Sequence, residues 1–187
     1  QDTHLLQKLE AVCWIEELPK TDSMACISGN PIAGLELEQV KFPLHLHIRW
    51  KQPIWIEGLT YFPIQNRRDH RGDINEYEIW VRKEEGWIQK KSGNFATSFE
   101  PKEVFFDKVM TNEVILVIKS GFGCAFYQKW EITQEGWKLQ SGSFSDHCVG
   151  IGEILIHSEE IYSKDRESNQ KWIERGDILD GRTATLE

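Results

Sequence analysis

Residues Ile54 to Val81 read IWIEGLTYFPIQNRRDHRGDINEYEIWV, two apolar-rich runs separated by a polar, cationic segment. In the second run Tyr77, Ile79 and Val81 fall on one side and Glu76, Glu78 and Arg82 on the other. That period of two is what an antiparallel strand with one wet face requires. Trp80 breaks the alternation. The first run, ending in Tyr61-Phe62-Pro63, reads as a second strand, so the pair presents Gln65, Asn66, Arg67, Arg68, His70 and Arg71 on a connecting loop. A loop rich in fixed hydrogen-bond donors on a strand scaffold points to a binding module.

Working outward, Leu44, Leu46, Ile48 and Trp50 alternate with His45, His47 and Arg49, another half-buried strand. Further strands are expected near 54–62, 76–82, 86–90, 103–109, 113–119, 126–133, 136–140 and 151–157, with Gly, Asn, Pro or Ser between them. Glu85-Gly86-Trp87 and Glu135-Gly136-Trp137 read as tight hairpin turns. Upstream, Leu5, Leu6, Leu9, Val12 and Cys13 lie at helical spacing behind Asp2 and Thr3, which predicts a short N-terminal helix over 3–17. Many short strands without intervening helices predict an all-β, antiparallel sandwich. The expected division is a helix and lead-in over 1–41, the sandwich over 42–157, and a polar tail or the start of a following module over 158–187.

Composition narrows the function. The chain has 187 residues, 40% of them hydrophobic, with eight Trp and nine Phe, enough to fill one sizeable core. A net charge of −8 speaks against nucleic acid as a partner, since that affinity comes largely from clustered Lys and Arg. No run approaches the roughly 18–20 apolar residues of a membrane-spanning helix. Gln1 in place of a starting Met fits a mature or trimmed chain. Cys13, Cys26, Cys124 and Cys148 match no zinc or redox spacing, and buried free thiols are favoured over bridges.

Three separated words, Gly58-Leu59-Thr60-Tyr61-Phe62-Pro63, Asp73-Ile74-Asn75-Glu76-Tyr77-Glu78-Ile79-Trp80-Val81 and Gly152-Glu153-Ile154, resemble the discoidin-like domains of coagulation factor 5/8 C-terminal type. That family includes many bacterial family 32 carbohydrate-binding modules. The resemblance covers about residues 42–157. It implies a jelly-roll, galactose-binding-like sandwich whose loops at one end grip sugars, phospholipid head groups or proteins, often beside a structural calcium ion. It further implies an extracellular, periplasmic or cell-surface location within a larger protein, glycans or glycoconjugates as partners, and neighbouring domains as further ones.

The chain departs from the family pattern in four places. Pro63-Ile64-Gln65 stands where many bacterial members read Pro-Arg-Gln, with the basic residues slightly later. The family's aromatic platform falls near Cys148, where Phe144 and His147 are the nearest substitutes. Extra length before Glu153 suggests an added hairpin around Trp130 and Trp137. The early Asp-Gly-Asp calcium word is missing between residues 20 and 42, and a similar word, Ile178-Leu179-Asp180-Gly181, occurs only at the far end.

A sugar site needs a flat apolar face for C–H stacking and a few fixed hydrogen-bonding groups. Phe122, Phe126, Phe144 and Trp80 are the stacking candidates and the loop residues the donors, with His147 a further ligand-binding candidate near the platform position. Core packing is the competing role of any one aromatic. Glu153, inside an apolar strand, must meet calcium, an Arg or backbone amides, and without the early calcium word the salt bridge or amides are favoured. His45 and His47 share a strand face that could hold a metal, but with no third ligand they read as a solvated face. Arg71-Gly72-Asp73 is a three-letter adhesion tripeptide that arises often by chance. No nucleophile elbow, phosphate-cradling loop or zinc-protease helix occurs. The resemblance implies a non-catalytic carbohydrate-binding module, with a protein-docking module of the same fold as the alternative.

Overall fold

The computed structural model describes residue 6 and residues 9–64, 72–122, 126–143 and 148–158. Two long strands organise it: β3, Leu44–Phe62, and β6, Lys102–Ile118, with β1, Val12–Ile15, and β2, Leu35–Leu37, ahead of them. β4, Glu76–Lys83, and β5, Gly86–Asn94, lie between the two in sequence. After β6 come β7, Phe126–Thr133, β8, Gly136–Ser143, β9, Val149–Ile151, and β10, Glu153–His157.

β3 and β6 pair antiparallel from Leu44↔Ile118 to Tyr61↔Lys102, and their register breaks between Arg49 and Ile54 and again between Ile56 and Gly58. Bulges of this kind bend a ladder. One half carries β1 against Leu46–Arg49 and β4 then β5 beyond β6. The other half carries β10 against Gly58–Phe62. Each long strand thus serves both layers of an all-β sandwich, and Leu46, Ile48 and Trp50 of one half share a core with Leu59, Tyr61, Ile154 and Ile156 of the other. Full burial of such side chains contributes on the order of 1.5–3 kcal/mol each.

The expected strands at 103–109 and 113–119 are one continuous strand, β6. The one at 151–157 is two, β9 and β10, of which β9 pairs with β2. Both Glu-Gly-Trp turns form: Gly86 and Gly136, with φ of 131° and 105°, close the β4–β5 and β7–β8 hairpins where a side chain would strain the backbone. The hairpin expected around Trp130 and Trp137 is β7–β8.

The predicted N-terminal helix needs correction. Leu6 is helical and buried, but Glu10 turns to φ 56° and Val12–Ile15 form β1, pairing with Leu46–Arg49. Cys13 and Ile15 face the core while Val12 and Trp14 face outward, so period two prevails over the helical spacing that the Leu residues suggested. Residues 1–5, 7 and 8 lie outside the described residues.

Candidate functional site

At the end of the sandwich where β3 finishes and β4 begins, four backbone stretches converge. Gly72 donates its N–H to the Phe122 carbonyl at 3.1 Å, Phe122 donates to Asp73 at 2.7 Å, and Gly150 donates to the Gly72 carbonyl at 2.8 Å. The approach is close: a Cβ on Gly121 would sit 2.6 Å from the Cys148 carbonyl oxygen, and one on Gly150 2.9 Å from Cγ1 of Ile64. Buried Tyr61 ties the junction to the core, its hydroxyl donating to the Gly150 carbonyl at 2.7 Å and accepting the Ile74 N–H at 3.1 Å. Phe95 packs its ring against Tyr61 at 5.2 Å and against Tyr77 at 4.1 Å, which fixes the tyrosine.

Ile64, Gly72, Phe122 and Cys148 are the described residues that bound segments 65–71, 123–125 and 144–147. The junction therefore brings together the roots of the segments that carry Gln65, Asn66, Arg67, Arg68, His70 and Arg71 and Phe144 and His147, all eight of which lie outside the described residues. Phe122 is half-buried at the junction itself. Trp80 is not near it: half-buried on the outward face of β4, it donates its indole N–H to Glu78 at 2.9 Å, which holds that carboxyl below its ordinary range. Nothing is described of the Phe126 side chain.

Glu153 is fully buried at the start of β10, and Gly29 donates its backbone N–H to Oε2 at 2.7 Å. A donor aimed at the carboxylate is the amide partner that the sequence favoured. Among the described residues the three-membered acidic or His cluster with ligand geometry is Glu16, Glu17 and His45, remote in sequence from Glu153 and exposed at both glutamates. Glu17 is already engaged there with the His45 N–H at 2.7 Å and Nδ1 at 2.6 Å.

His47 is not on a solvated face, contrary to expectation. It is buried, its Nδ1 is 2.9 Å from Glu113 and its Nε2 3.1 Å from Glu16. Trp14, its cross-strand partner, stacks on it at 4.7 Å, Trp87 meets it edge-on at 6.0 Å, and Arg82 reaches Glu113 at 3.2 Å. Sequence reasoning missed this cluster, although Glu113 inside Asn112-Glu113-Val114-Ile115-Leu116 was a visible signal of a buried, partnered carboxylate. Cys13, Cys26 and Cys148 are buried and unbridged, and the Cys13 thiol is raised well above its ordinary value by its hydrogen bond with Cys26 and by burial.

No protein-family model matches the sequence, and no curated protein matches it either. Solved structures do. A Clostridium perfringens module, CpGH89CBM32-5, in complex with GalNAc-β-1,3-galactose superposes with a TM-score of 0.59 at 14% identity, covering 79% of this chain and 95% of that one. The family 32 module of C. perfringens NanJ in complex with galactose gives 0.59 at 15% identity, covering 78% and 91%. CBM32-3 of a family 31 glycoside hydrolase from C. perfringens gives 0.58 at 13%, covering 80% and 91%. The fold is therefore the galactose-binding-like, discoidin-type β-sandwich that the three sequence words resemble.

Proposed function

We propose that the chain is a non-catalytic carbohydrate-binding module that recognises terminal sugars with the loops rooted at the Tyr61 junction. The observation that carries this reading is the convergence of Gly72, Phe122 and Gly150 in hydrogen-bond contact, because these residues lie beside the ends of the cationic segment 65–71 and the aromatic segment 144–147 in sequence. A rigid base under polar and aromatic loop residues is what shallow sugar recognition requires. Similarity to modules in complex with galactose and with GalNAc-β-1,3-galactose supports the same reading. In this role Arg67, Arg68, His70 and Arg71 donate to hydroxyls, Phe122 and Phe144 supply a stacking face, and Glu153 is structural. The context is a secreted or surface protein in which several weak sites act together. A glycan-array screen tests the proposal, with a weakened signal expected for Arg67→Ala and Arg68→Ala in a chain that stays folded.

A second reading, docking to a neighbouring domain or protein, draws on the β7–β8 hairpin. Trp130 pairs with Leu139 and Ile132 with Trp137, so all four share one face. Trp130, Ile132 and Trp137 are each about two-thirds exposed, at 65%, 69% and 67%. Isolated two-stranded hairpins are marginal in water, which makes such a face a natural contact surface. Silence on the array together with co-purification of a parent-protein domain that Trp130→Ser and Trp137→Ser release would favour docking.

A further inference from the structure

A second concave surface lies at the opposite end of the sandwich, where β4 turns into β5 and the β3–β6 ladder bends from layer to layer. It is an open groove of about 700 Å³ lined by Arg82, Trp87, Met110 and Asn112 with the charged turn Lys83-Glu84-Glu85. The eight residues of β4 separate it from the Tyr61 junction, which at ~3.3 Å per residue is roughly 25 Å. We propose that this groove is a second sugar-binding site, taking a neutral pyranose residue of a glycan.

The chemistry is that of a sugar site with its parts held in place. Trp87 is 37% exposed, and its ring is braced edge-on by His47, which is itself clamped between Glu113 and Glu16 and stacked on Trp14. A braced, half-exposed indole is a ready face for pyranose C–H groups, with little side-chain freedom to lose on binding. Arg82 is tethered through Nη1 to the buried Glu113 at 3.2 Å, and Thr111 donates its hydroxyl to the Arg82 carbonyl at 2.8 Å. One nitrogen is thus anchored while the guanidinium keeps further N–H donors in its rigid fork. Asn112 donates one amide N–H to the Trp50 carbonyl at 3.3 Å, which orients the side chain and leaves Oδ1 as an acceptor. Lys83 and Arg82 against Glu84 and Glu85 balance the local charge, favouring a neutral ligand over an acidic one.

This inference extends the proposed sugar-binding reading to another site, and the experiment separates the two. The full chain is titrated with galactose, N-acetylgalactosamine and a panel of other neutral mono- and disaccharides while the eight indole N–H resonances are followed by NMR. The Arg67→Ala/Arg68→Ala double variant is expected to keep a saturable shift of the Trp87 indole, and Asn112→Ala is expected to weaken it at least about tenfold, the scale of one well-made contact. By calorimetric titration in the loop double variant, Trp87→Ala should abolish the remaining sugar affinity and Trp87→Phe, which keeps an aromatic face, should retain part of it, while the other seven indole resonances, unshifted from their wild-type positions, show that both chains stay folded. Binding that vanishes in the loop variant and never moves Trp87 would overturn the second site alone. A Trp87 response in a chain unaffected by the loop variant would support the second site and overturn the loop site, and no response to any sugar in the panel would overturn both.

Discussion

The hydroxyl of Tyr61 and the carbonyl of Gly150 meet at 2.7 Å in the core, joining strand β3 to strand β9 under the converging loop roots. The same oxygen accepts the Ile74 N–H. Tyr61→Phe removes both bonds and leaves a buried carbonyl and a buried N–H unpaired, each costing about 1–3 kcal/mol. We expect about 2–4 kcal/mol of lost stability by urea denaturation, with sugar affinity falling more than the residual stability explains. Unaltered stability would show that the latch contributes little.

Glu113 is 2% exposed and serves His47 and Arg82 together. Removing Glu113 leaves the buried His47 ring without its Nδ1 partner, at about 1–3 kcal/mol. Glu113→Ala is therefore expected to be among the most destabilising single changes on the outward face. His47→Leu combined with Glu113→Leu should recover a good part of the loss, since Arg82 retains access to water. Equal denaturation midpoints for the single and double variants would contradict this.

His157 is buried beside Thr60, whose hydroxyl lies 2.5 Å from Nε2, and Phe105 stacks on its ring at 4.9 Å. Burial lowers its pKa to about 4. The folded protein thus holds the ring neutral while the unfolded chain takes up a proton near pH 6.5. Its contribution is complete above pH 6.5 and is lost as pH falls from 6.5 towards 4, by up to about 3 kcal/mol. His157→Gln should flatten the stability profile in that window, as read by denaturation at pH 7, 5.5 and 4.5.

The Gly29 amide on Glu153 Oε2 makes that carboxylate part of the fold. Melting temperature is expected to be the same in calcium and in EDTA. Glu153→Ala should cost about 1–3 kcal/mol through the unpaired amide, and Glu153→Gln, which keeps an acceptor, should cost less. A clear rise in melting temperature on adding calcium would restore the metal.

Much of the sandwich was legible because strands with one wet face write their period into the sequence. Tyr77, Ile79 and Val81 are buried and Glu76 and Arg82 exposed, as the alternation required. The two Glu-Gly-Trp turns were equally plain, since glycine marks positive φ. What local pattern could not show was pairing over distance. That Trp14 belongs to a strand is decided by its partner His47, and a Leu-rich approach with helical spacing concealed it. Burial of His47 likewise depends on Trp14, Glu16, Trp87 and Glu113, drawn from three separate stretches. For the candidate site, the sequence words indicated which segments to watch, but not that Gly72, Phe122 and Gly150 bond to one another.

The most direct measurement is a glycan-array screen of the purified chain, in calcium and in EDTA, beside the Arg67→Ala/Arg68→Ala and Phe144→Ala variants. The account expects wild-type binding to a related set of sugars, equal in both buffers, and a loss at the loop site in the variants with an unchanged melting temperature. Binding to no glycan, or binding that all these variants leave untouched, would contradict it.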